Sequence, residues 1–102
     1  MHLVQILLPL NDNDGHALPL DLYETVARDL TERFGGVTAY TRVAADGRWR
    51  DEGRDTSSDE VVVVEVMLEK IDELWWSAYR AELEAAFRQK RIIVRAQSIR
   101  VL

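Results

Sequence analysis

No cysteine occurs anywhere in the 102 residues. That excludes a disulfide framework, a thiolate nucleophile and any cysteine-ligated metal site, and it fits a reducing cytoplasmic setting. Histidine is nearly as scarce. His2 and His16 stand apart in sequence with no visible partner to orient a ring or share an ion, so no metal site is expected. Positive charge is short as well, 13 Lys and Arg against 18 Asp and Glu for a net −5, which argues against a nucleic-acid surface. The apolar run Leu3–Leu10 is too short to span a bilayer and lacks the charged start of a signal peptide. No membrane segment and a cytoplasmic location are therefore expected. A phosphate-binding glycine loop is missing, because Gly35-Gly36 follows a helical pattern and does not open one. Ser57-Ser58 has none of the context of a nucleophile elbow. Neither a cofactor nor a catalytic residue can be assigned on these grounds.

What is present is a core. The length suits one domain, residues 1–102, and the 47% hydrophobic fraction with 30% charge is ordinary for a globular protein. The strongest element is Glu60–Lys70, EVVVVEVMLEK, whose β-branched side chains fit a pleated surface and crowd a helix. Both of its faces are largely apolar, so the strand should be central and covered on each side. Leu3–Leu8 predicts a first strand that stops at Pro9, which cannot donate to a ladder. Asp21 with Glu24 has the spacing of a capping box. Behind it Leu22, Tyr23, Val26, Ala27, Leu30 and Phe34 recur at helical spacing up to Gly35.

From Val37 the period changes to two, and Asp46-Gly47 is a hairpin signal. Asp51–Asp59 is polar, without apolar anchors, and is expected to be mobile. Asp72 then caps a second helix with Trp75, Trp76, Tyr79, Leu83 and Phe87 on a core stripe and Glu73, Ser77, Arg80, Glu84 and Arg88 on a solvated arc. Ile92–Leu102 alternates again as a last strand.

Strand, helix, strand, strand, helix, strand with right-handed crossovers predicts an α+β, ferredoxin-like βαββαβ sandwich: a four-stranded antiparallel sheet with two helices on one face. Val4, Ile6, Leu8, Val62, Val64, Val66, Ile92 and Val94 are expected beneath the helices. The other face would present Leu7, Val61, Val63, Met67, Ile93 and Ile99, more apolar surface than a monomer usually leaves in water. A second copy of the chain is the expected cover, giving a homo-oligomer built through the helix-free face. Gln5, Tyr40, Arg42, Glu65, Arg95 and Gln97 would lie on that same face. Glu65 is expected to pair with Arg42 or Arg95, because an unpaired buried carboxylate is costly.

Tyr40, Arg42, Trp49, Glu65 and Arg95 are the candidate ligand-binding residues, in an interface network or a small-molecule pocket. Trp49, between two arginines, is either a lid packed on its own sheet or on the partner copy, or a mobile aromatic contact to a ligand. Asp12, Asp14, Gly15 and Asp21 fall at offsets like those of a calcium loop, but Leu10 would occupy the first ligand position and has no oxygen to offer. A solvated polar loop is expected there.

Phe34-Gly35-Gly36-Val37-Thr38, then Gly47-Arg48-Trp49, then a valine-rich strand carrying Glu65, resembles a group of short bacterial ferredoxin-like proteins without established activity. The architecture also looks like that of dimeric α+β-barrel proteins, which include cofactor-free monooxygenases, isomerases and ligand-sensing modules. Two functions follow as expectations. One is a non-enzymatic oligomeric module that binds a small molecule or partner. The other is a small cofactor-free enzyme with Glu65 as base and Arg42 or Arg95 steadying an anion.

Overall fold

Valine alternation organises the molecule, and the strands it builds carry everything else. A computed structural model describes the backbone of residues 1–37, 39–45 and 59–102, and the side chains of residues 1–37 and 61–102. In chain order the described elements are β1 (His2–Pro9), α1 (Leu20–Phe34), β2 (Ala39–Ala45), β3 (Asp59–Leu68), α2 (Glu73–Ala86) and β4 (Ile93–Ser98). The fold is α+β. β1 lies between β3 and β4 in an antiparallel sheet, and the backbone of β2 pairs along the outer edge of β3, giving the order β2-β3-β1-β4. The hairpin signal at 46–47 and the polar stretch 51–58 lie outside the described residues.

Register decides which side chains are buried. Val4, Ile6 and Leu8 face Val66, Val64 and Val62 across the β1–β3 ladder, and all six are buried. Directly opposed residues share a face, so the helix side of β1 and β3 is committed to the core. Tyr23, Val26 and Leu30 of α1 and Trp76, Tyr79 and Leu83 of α2 close over it, with Phe87 and Ile92, in one cluster. Burying each such aliphatic or aromatic side chain contributes about 1.5–3 kcal/mol. As expected, the aromatic stripe of α2 belongs to this core. Phe34 stacks on Trp76 with ring centroids 5.4 Å apart and meets Trp75 edge-on at 5.1 Å.

The helix ends are partly as predicted. Gly35 takes the left-handed conformation after α1, at φ 84°, and its N–H donates to the Thr31 carbonyl at 2.8 Å. Asp72 caps α2, its Oδ1 accepting the Trp75 N–H at 3.1 Å. The predicted capping box at Asp21 does not form. The cap lies two residues earlier, at Pro19, with no side-chain cap. Asp21 therefore sits inside the first turn, where its charge suits the positive end of the helix dipole.

The last strand is shorter than predicted, ending at Ser98 and not at Leu102. Its partner runs out first: His2, the first residue of β1, is paired with Ser98. One further tie follows, from the Ile99 N–H to the Met1 carbonyl at 3.0 Å. Glu84 also departs from expectation. Its Oε2 accepts the Ile92 N–H at 2.9 Å, so it fastens the end of α2 to the approach to β4 instead of lying on a solvated arc.

Candidate functional site on the helix-free sheet face

The sheet face without helices is ordered in rows across the strands. Leu7 lies between Val63 and Ile93, Gln5 between Glu65 and Arg95, and Leu3 between Met67 and Gln97. A polar row is thus bracketed by largely apolar ones. None of these side chains is fully covered, and Met67 and Ile93 stand 42% and 48% exposed.

Within the middle row the Arg95 Nε donates to the Gln5 Oε1 at 2.9 Å, and the Gln5 Nε2 donates to the Glu65 Oε1 at 3.3 Å. Chemistry fixes that direction. A guanidinium only donates and an ionised carboxylate only accepts, so a carboxamide joining them must turn its oxygen to Arg95 and its nitrogen to Glu65. The result is a relay with a positive end on β4 and a negative end on β3. The two ends stand two strand spacings apart, roughly 9–10 Å.

Several expectations need revision. Glu65 and Arg95 share the face as expected, but they do not pair directly, because β1 runs between their strands and Gln5 bridges them. The register places Tyr40 opposite Val64 and Arg42 opposite Val62, while Glu65 faces Ala39. Tyr40 and Arg42 therefore occupy register positions of the helix-side parity and not the one shared by Glu65. Alternation along β2 was visible in the sequence, but which alternate set belongs to which face is settled only by pairing. Trp49 lies outside the described residues. Gln5 is the functional candidate that the site list lacked. Its signal was a lone amide in the middle of the apolar run Leu3–Leu8.

The loop after β1 is self-contained. The Asp12 Oδ1 accepts the N–H groups of Asp14 and His16, each at 2.9 Å, and the Gly15 backbone adopts φ 83°. Those bonds, with the His16 contact first among them, hold the Asp12 carboxyl below its usual value, helped by the charges of His16 and Arg88 and opposed by burial. Ligand atoms of Asp12, Asp14 and His16 lie within 4.8 Å of one another. Asp12 is nonetheless engaged by its own backbone, Leu10 packs against the core, and Asp21 belongs to α1. The calcium-like spacing thus coincides with a turn held by backbone bonds to Asp12.

An α+β sheet with two helices on one side and a row of complementary polar groups on the other defines a class of small domains with an open sheet face. A solved structure of a phage SAM lyase in complex with S-methyl-5'-thioadenosine has this fold. It superimposes with a TM-score of 0.56 at 20% identity, covering 94% of this chain and 79% of the lyase. No protein-family model and no curated protein sequence matches the chain. Among the described residues no helix is long and apolar enough to cross a membrane.

Proposed function

We propose that this chain is a ferredoxin-like, self-associating module that binds a small sulfur-containing nucleoside, SAM or S-methyl-5'-thioadenosine, over its helix-free sheet face. The observation that carries this reading is the relay Arg95–Gln5–Glu65 set between apolar rows. Apolar rows suit the flat adenine and the thioether, while the relay offers a cation at one end and an anion at the other. Gln5 can also exchange either of its bonds for one to a ligand at little cost, since it is half-buried and near water. The likeness to a lyase captured with S-methyl-5'-thioadenosine supports the ligand class. A second copy of the chain over the same face would enclose the ligand and cover Met67 and Ile93.

Thermal melting against SAM, S-methyl-5'-thioadenosine, adenosine and methionine tests this. The thioadenosine is expected to raise the melting temperature in proportion to the logarithm of its concentration. Glu65→Gln should weaken that effect about tenfold or more, the loss of one hydrogen bond to a charged group. No shift with either nucleoside at millimolar concentration would remove the proposal.

A second reading, a SAM-degrading enzyme, is favoured by the lyase activity of the similar phage protein. Glu65 would then touch the substrate at the face described. Incubation with SAM, followed by chromatography for released S-methyl-5'-thioadenosine, separates binder from enzyme. Release that stops in Glu65→Gln supports the enzyme; intact SAM after prolonged incubation leaves the binder.

A further inference from the structure

We propose that the cleft between α2 and β4, on the opposite side of the sheet, is a separate site for a small zwitterionic amino acid with an apolar side chain. The cleft encloses about 280 Å³. That lies just below the usual range for drug-sized ligands, so the occupant is small. Trp76, Val94 and Ala96 contribute an apolar lining, Glu73, Ser77 and Arg80 add polar groups along one face of α2, and Arg95, whose Nε bonds Gln5, also borders the cleft.

Glu73, Ser77 and Arg80 stand at i, i+4 and i+7, one stripe of the helix. A solvated arc was the expectation for this stripe. Its next member, Glu84, bonds the chain just before β4, which turns the stripe toward the strand. Opposite charges therefore border a single cavity, and neither has an ion-pair or hydrogen-bond partner among the described residues. The Trp76 side chain forms part of the wall of the same cleft. Opposite charges without partners of their own beside an apolar wall suit a ligand that carries both charges and an apolar group. A carboxylate at Arg80, an ammonium at Glu73 and an aliphatic group against Trp76, Val94 and Ala96 match the charges and the apolar lining together. This inference does not rest on the nucleoside reading of the other face.

Calorimetric titration of the full chain with L-leucine and L-methionine tests it, alongside isoamylamine and 4-methylpentanoate, each of which keeps one charge. The amino acids should bind saturably, and each single-charge analogue at least about tenfold more weakly. Arg80→Ala, at an exposed position that leaves the core intact, should weaken leucine by a similar factor. Glu65→Gln should leave leucine binding unchanged. Failure of every amino acid to bind at millimolar concentration would overturn the proposal. So would equal affinity for the single-charge analogues, indifference to Arg80→Ala, or loss of leucine binding in Glu65→Gln.

Discussion

Asp12 shows how much one side chain can do at a turn. Its carboxylate takes two backbone N–H groups at 2.9 Å and lies 3.7 Å from the His16 ring nitrogen. A carboxyl held below its unfolded value of 3.8 stabilises the fold above that pH. The contribution is then lost as acid carries the solution down through the unfolded and folded values. Asp12→Asn is therefore expected to lower the urea midpoint at pH 7, with the gap to wild type narrowing as the pH falls below 3.8. A gap that keeps its size over that descent would contradict the assignment. Gln5 teaches a different lesson about legibility. An amide at the fifth position reads as a blemish in an apolar strand, and only the simultaneous pairing with Glu65 and Arg95 gives it a role. Single residues are legible when their partners are near in sequence, as Asp12 and Asp72 show, and obscure when the partners lie 60 and 90 positions away.

At the level of elements, α2 is held at both ends. Asp72 accepts from Trp75 at its start, and Glu84 accepts from Ile92 beyond its end. Asp72→Ala is expected to cost about 1 kcal/mol, the usual loss of an N-cap. Glu84→Ala strands the buried Ile92 N–H and should cost about 1–3 kcal/mol. Urea denaturation of the two variants measures both, and a Glu84→Ala protein as stable as wild type would show that the staple carries nothing. The start of α2 and its buried face were readable because an N-cap and an aromatic stripe are local signals. The end of β4 was not, because a strand stops where its partner stops, and that depends on β1. The same physics misplaced Tyr40 and Arg42. A period of two announces a strand but is silent about which side of the sheet its odd members take.

Among the described residues, one sheet face is sealed by helices and the other carries none. If a second copy covers the open face, as proposed, Val63→Lys should dissociate the assembly by setting a charge among apolar rows. Glu24→Lys, exposed on α1, is the matching control and should leave the mass unchanged. Equal sedimentation of wild type and Val63→Lys at micromolar concentration would count against self-association through this face.

The open face also bears on how the chain finds its own alignment. Val61–Val64 and Val66 are nearly interchangeable along β3, so hydrophobic burial alone would accept several pairings with β1. Glu65 removes that freedom. Sliding β3 by one residue would thrust its carboxylate among Val4, Ile6 and Leu8, at a desolvation cost of several kcal/mol. Sliding it by two would keep the carboxylate in water but set it against Leu3 or Leu7. Only one offset brings Glu65 to Gln5, and Arg95 confirms the same offset from the far side. The polar row thus proofreads the threading of three strands, and a valine tract that could wander is pinned to a single alignment.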